Sequence, residues 1–273
     1  MQNRRTVLKG LAGGTVLLTA GSAAVTGDNH DSNGGGNATE DSEDEASGQE
    51  ETGEHAEDQA RLRVAHGSPD APAVDVLVDG DAVVEALEFR GVTDYLEVPA
   101  GEYTVEVQLS DDGTTVFGPV DVELAAADYT AVALGEATCD DTEFTVSLFE
   151  DTNDEDVGDD EARVRAIHAS PDAPAVDVTV DDGSLTLFED LEFGEASDYT
   201  VVPAGSYEVE VRPADGCETV FETDVSVEGG TTYTVFAVGY VDPDNAPTDE
   251  AFGLVPTADA TAQSHDEGGD SEE

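Results

Sequence analysis

The sequence predicts an all-β protein built from two tandem antiparallel β-sandwich domains, and three observations carry that prediction. The first is an internal duplication. Arg61-Leu-Arg-Val-Ala-His-Gly-Ser-Pro-Asp-Ala-Pro-Ala-Val-Asp-Val76 returns as Arg163-Val-Arg-Ala-Ile-His-Ala-Ser-Pro-Asp-Ala-Pro-Ala-Val-Asp-Val178. Asp94-Tyr95, Val98-Pro-Ala-Gly-Glu-Tyr103, Tyr129-Thr130 and Gly135 return as Asp198-Tyr199, Val202-Pro-Ala-Gly-Ser-Tyr207, Tyr233-Thr234 and Gly239. The second is a period of two: Val74, Val76 and Val78 alternate with Asp75, Leu77 and Asp79, and Tyr103, Val105 and Val107 with Thr104, Glu106 and Gln108. Such alternation marks a strand buried on one face. The third is the close spacing of turn signals, among them Asp79-Gly80, Ala100-Gly101, Asp112-Gly113, Asp215-Gly216 and Gly229-Gly230.

No stretch of either unit keeps a helical period. Many short strands in a unit of about 90 residues suit an immunoglobulin-like sandwich, because one apolar sheet face has to be covered by another. The first unit is expected over residues 61–150 and the second over 163–256. Residues 151–162 join them as an acidic linker.

The flanks read differently. Residues 1–26 have the form of a twin-arginine export signal: Arg4-Arg5, then a mild apolar run from Gly10 to Ala24, with Ser22-Ala23-Ala24 as the cleavage site. The run is Gly-rich and shorter than the roughly 20 strongly apolar residues of a membrane helix, so no stable membrane span is expected after cleavage. Residues 27–60 and 257–273 are acidic and almost free of apolar side chains, and are expected to be disordered. Asn37-Ala38-Thr39 is a glycosylation sequon within the first of these.

Charge sets the environment. The chain has 65 acidic and 9 basic residues and a formal net charge of −56. Arg4, Arg5 and Lys9 lie in the signal, and no lysine follows it. Such a chain repels itself in dilute buffer, whereas at molar salt the Debye length falls to about 3 Å. The composition therefore points to a halophile. It also excludes nucleic acid as a partner, since phosphate binding needs clustered Lys or Arg. Cys139 and Cys217 have no cysteine counterparts in the opposite unit. In an oxidising compartment they either stay unpaired or join across the unit boundary as a disulfide.

The run His-x-Ser-Pro-Asp-Ala-Pro-Ala-Val-Asp-Val, followed by Asp-Tyr, Val-Pro-Ala-Gly-x-Tyr and Tyr-Thr, resembles the family catalogued as domain of unknown function 4397, in both units. The resemblance implies a domain type and an exported or surface-bound location. It carries over no catalytic residue.

The sharpest chemical candidates are His66, Ser68, Asp70 and Asp75, repeated as His168, Ser170, Asp172 and Asp177. His, Ser and Asp together invite a hydrolase. Each serine precedes a proline, however, and no glycine-rich elbow surrounds it. The alternative is a rigid crossover in which Pro69 and Pro72 fix φ, Ser68 and Asp70 bond nearby amides, and His66 ties the turn to the sheet. A ligand role for the same residues is the third possibility. Asp75 and Asp79 face the same side of a strand and offer oxygens to calcium, and Asp151-Thr-Asn-Asp-Glu-Asp-Val-Gly158 loosely resembles a calcium loop. That loop lacks the sixth-position Gly and a closing Glu, so specific calcium binding is expected to be weak or absent, and no other metal or cofactor is expected. Arg61, Arg63, Arg163 and Arg165 share one strand face in each unit and are expected to pair with acids on the adjacent strand. Tyr95, Tyr103, Tyr199 and Tyr207 are expected in the core.

Together these features describe a non-enzymatic secreted or envelope-associated interaction module whose partner is an envelope protein or a glycan. The rival reading is a secreted hydrolase or carbohydrate-binding protein that uses the duplicated turn.

Overall fold

The computed structural model describes residues 59–138, 142–153, 157–181, 183–216 and 218–261, together with the backbone of Val16–Leu18. That short segment is β1 (Val16–Leu18). Unit one comprises β2 (Gln59–His66), β3 (Val74–Val78), β4 (Asp81–Leu87), β5 (Leu96–Pro99), β6 (Gly101–Leu109), β7 (Thr115–Leu124), β8 (Asp128–Leu134) and β9 (Thr145–Asp151). Unit two repeats the series as β10 (Glu161–Ala169), β11 (Val176–Val180), β12 (Leu185–Leu191), β13 (Thr200–Pro203), β14 (Gly205–Pro213), β15 (Phe221–Val227), β16 (Thr231–Val238) and β17 (Gly253–Thr261). β1 pairs antiparallel with β9. No α-helix occurs among the described residues.

Each unit is a sandwich of two sheets. In unit one an outer sheet β4-β3-β6-β7 covers an inner sheet β9-β8-β2-β5; in unit two the equivalents are β12-β11-β14-β15 and β17-β16-β10-β13. Pairing is antiparallel except for β2 with β8 and β10 with β16, which run parallel. Between β2 and β8 the chain builds the outer sheet and the inner edge strand β5, and so long an excursion is what a parallel neighbour requires.

The inner sheets depart from the one-faced strands expected of the sequence, because they are buried on both faces. Even-numbered residues of β2, such as Ala60 and Val64, face the core of their own unit. The odd-numbered Arg63 and Ala65 point the other way and are equally buried. Val132, Leu134 and Phe149 of unit one meet Ile167, Phe236 and Val238 of unit two in a third apolar core. The units thus pack inner sheet against inner sheet, with the outer sheets turned to solvent. Burial on both faces explains why these strands carry continuous apolar runs, such as Ala131-Val132-Ala133-Leu134 in β8, in place of a strict alternation.

Candidate functional site

The duplicated turn begins where β2 and β10 end. His66 and His168 are 1% and 0% exposed. Each ring stands edge-on to a phenylalanine, Phe89 or Phe193. His66 Nε2 donates to the carbonyl of Pro72 at 3.1 Å, and His168 Nε2 to that of Pro174 at 3.1 Å. A carbonyl only accepts, so both rings carry their proton on Nε2 and leave Nδ1 as a bare lone pair. In unit two Nδ1 accepts the Ser170 N–H at 3.3 Å. In unit one it has no hydrogen-bond partner among the described residues. Burial lowers the pKa of both imidazoles below the usual 6.5, because the cation is denied water.

Neither serine hydroxyl is held against a ring nitrogen. Ser68 Oγ donates to Asp70 Oδ1 at 3.3 Å; Ser170 Oγ faces Asp172 Oδ1 at 3.2 Å and the Gly239 carbonyl at 2.6 Å. The carboxylates in turn clamp the loop that follows β8 or β16. Asp70 accepts the N–H groups of Ala137 (2.8 Å) and Thr138 (2.7 Å), and Asp172 those of Val241 and Asp242 (2.9 Å each). Those loops leave their strands through Gly135 and Gly239, at φ of +80° and +90°. A Cβ there would lie 2.3 or 2.4 Å from the carbonyl of Glu143 or Ala251, which accounts for the repeated glycine. The last member of the motif also has a backbone role. Asp75 Oδ1 accepts Ala86 N–H at 2.7 Å and Asp177 Oδ1 accepts Asp190 N–H at 2.8 Å. Ala86 and Asp190 have φ of +50° and +52°, beside register shifts between β3 and β4 and between β11 and β12. Each aspartate therefore pins the left-handed residue of a bulge. Asp79 likewise accepts Thr104 N–H at 2.9 Å.

The turn also touches the opposite unit. Thr248 of unit two donates to the Pro69 carbonyl at 3.0 Å, and Thr142 of unit one lies 3.5 Å from the Pro171 carbonyl.

The arginines correct the sequence expectation. Arg61 pairs with Asp128 on the neighbouring strand, as expected. Arg63 and Arg165 instead reach across the unit boundary. Arg63 Nη1 meets Asp259 Oδ1 of β17 at 2.7 Å, and Arg165 pairs with Asp151 of β9. All four side chains are at most 2% exposed. The exchange is reciprocal: each arginine also bonds its own unit's threonine, Thr130 or Thr234, while its acid comes from the other. Thr130 Oγ1 and Tyr95 Oη both donate to Asp151 Oδ2 at 2.6 Å, so that carboxylate is surrounded by donors. In β17 a register shift leaves Asp259 as the extra residue between Ala258 and Ala260, and this aims it inward. Its pKa is raised by burial, against the pull of Arg63. Tyr95 and Tyr199 belong to this boundary rather than to either sandwich core. Arg63 and Arg165 each lie 4.8 Å from a tyrosine ring centroid, and burial raises both phenol pKa values.

Asp151, which the sequence offered only as the start of a calcium-like loop, and Asp259 are the charge partners that sequence reasoning missed. The available signal was a pair of arginines at alternate positions of otherwise apolar strands, which requires buried acids nearby. Arg4, Arg5, Asn37, Cys139 and Cys217 lie outside the described residues.

Among curated proteins none matches the chain. Among solved structures it is similar to the Bacillus anthracis TIE protein at 12% identity, with 66% of this chain and 34% of that one covered and a TM-score of 0.23. The chain thus spans about a third of the length of that protein. A second likeness is to the family 26 carbohydrate-binding module of Eubacterium rectale Amy13K, solved in complex with maltoheptaose. There the identity is 11%, the coverage 72% and 96%, and the TM-score 0.23. The model of one family, described as Domain of unknown function (DUF4397), matches residues 60–179 and again 162–268, and with its duplicated motif clamping the same loop in both units the chain belongs to that family as two tandem copies.

Proposed function

We propose that the chain acts outside the cytoplasm of a halophile as a two-unit interaction module, not as an enzyme, and that it meets a glycan or protein of the cell envelope. The observation that carries this reading is the internal use of the duplicated His, Ser and Asp side chains. The histidine Nε2 atoms and the aspartates bond backbone groups of their own unit, and each serine hydroxyl lies against an aspartate that clamps a loop, with no imidazole nitrogen on it. What remains for a partner is the solvent-facing outer sheet of each unit, with exposed acids such as Asp121, Glu123, Glu222 and Asp224. The twin arginines and the −56 charge support export into brine.

The test uses the exported chain in molar KCl against polysaccharide and protein fractions of the envelope. Retention of one defined component, unchanged by the paired Ser68→Ala and Ser170→Ala substitutions, is the expected result. Turnover of an ester or glycoside that these substitutions abolish would overturn the proposal. Replacing Arg4 and Arg5 by lysine is expected to leave precursor in the cytoplasm, and normal secretion of that variant would remove the twin-arginine assignment.

A further inference from the structure

We infer that each sandwich is a binding site for a small aliphatic group, taken up between its two sheets. Unit two has a partly open cavity of about 60 Å³ there, and unit one has one of about 60 Å³ at the equivalent place. Val180, Tyr207 and Val209 line the first, and their counterparts Val78, Tyr103 and Val105 line the second. Every lining residue is Val, Leu, Ala, Phe or Tyr. The tyrosines turn their hydroxyls outward, onto the carbonyls of Pro99 (2.5 Å) and Pro203 (2.6 Å), so they present ring carbon to the cavity.

The sequence explains the space. Facing sheets lie about 10 Å apart, and valine is too short and too stiff to reach across from both sides. A chance packing defect would not persist through changes in its walls. Yet Leu62, Val64 and Leu124 of unit one are replaced by Val164, Ala166 and Val227 in unit two, and the volume is retained. Water needs about 10–15 Å³ and two to four polar partners. The volume is ample and the partners are missing, so water, ions and sugars are excluded. The occupant is a hydrocarbon group of a few carbons. Tyr103 and Val98 are only half-buried, and place the entrance of unit one at the β5–β6 corner.

The test uses the full chain in molar KCl with valine and leucine methyl NMR, and xenon and n-pentane as probes. Saturable shifts are expected at the methyls of Val78, Val105, Val180 and Val209, with other methyls unmoved. Val209→Phe should remove the response of unit two and leave that of unit one, an internal control in the same molecule. Val209→Ile is the gentler filling if the larger ring disturbs folding, and should weaken the unit-two response. Decanoate distinguishes the sources of the group: tighter binding than pentane marks the end of an acyl chain, and weaker binding marks a free hydrocarbon. Lining methyls that stay still under saturating xenon and pentane, or a filled variant that responds as the parent does, would overturn the inference.

Discussion

Replacing Asp259 by alanine tests the reciprocal arginine exchange directly. Its carboxylate is fully buried, pairs with an Arg63 side chain that is 1% exposed, and accepts from Thr234 Oγ1 at 2.6 Å. Truncation leaves the Arg63 guanidinium in the interface without its ion-pair partner and the Thr234 hydroxyl proton without its acceptor. Breaking a buried pair from one side costs about 3–5 kcal/mol. For a folded region of this size that corresponds to a fall in Tm of roughly 6–20 °C. The pair is screened little by salt because it is buried, so the loss should persist in molar KCl, where surface pairs fade. The double variant Arg63→Met with Asp259→Leu should recover most of the loss, since it removes both charges and fills the volume. Calorimetry in molar KCl reads all three. A loss under about 1 kcal/mol for Asp259→Ala, or a double variant no more stable than the single, would refute the claim that this pair joins the units.

The folded pKa of His66 and His168 lies below the unfolded value, so their contribution is fully present above about pH 6.5 and is lost as pH falls through and below it. Tm should therefore drop between about pH 7 and pH 5, and a His66→Ala, His168→Ala variant, less stable by about 1–3 kcal/mol per site at neutral pH, should show a flatter curve. Ser147 Oγ is buried in the unit interface without a hydrogen-bond partner among the described residues, and the register gives its place in unit two to Val255, so Ser147→Val should raise stability by about 1 kcal/mol in denaturant titration. Circular dichroism across a salt series should show folding in molar KCl and expansion in dilute buffer; an unchanged spectrum at low salt would mean that the core alone holds the fold against its charge.

The outer sheets were legible in the sequence because one face of each meets water. Val74, Val76 and Val78 alternate with Asp75, Leu77 and Asp79, and the strand they predict is present. The inner strands were harder to read, since Arg63 and Ala65 face a second protein surface instead of solvent, and only packing reveals it. The turn was readable as a motif but not as a clamp. Asp70 bonds Ala137 and Thr138, which lie 67 and 68 residues away, and no local pattern encodes that distance. The charge partners were hidden for the same reason: Asp151 stands at the edge of an acidic run that reads as a connector, and Asp259 in a segment of small residues. The cation-poor composition did contain a clue, because the few arginines kept in so acidic a chain need a reason to remain.

Tyr240 Oη donates to Glu136 Oε1 at 2.8 Å, both side chains being buried. The two residues follow the equivalent glycines, Gly135 and Gly239, so they occupy the same position in their respective units and meet where the inner sheets face each other. A symmetric pair of identical units would bring glutamate against glutamate here, two carboxylates with no donor between them, or tyrosine against tyrosine, two phenol protons for a single hydrogen bond. Covalent fusion of the copies lifts that constraint. It lets a self-facing position carry two different, complementary side chains, and thereby favours the pairing of unlike halves over any pairing of like ones.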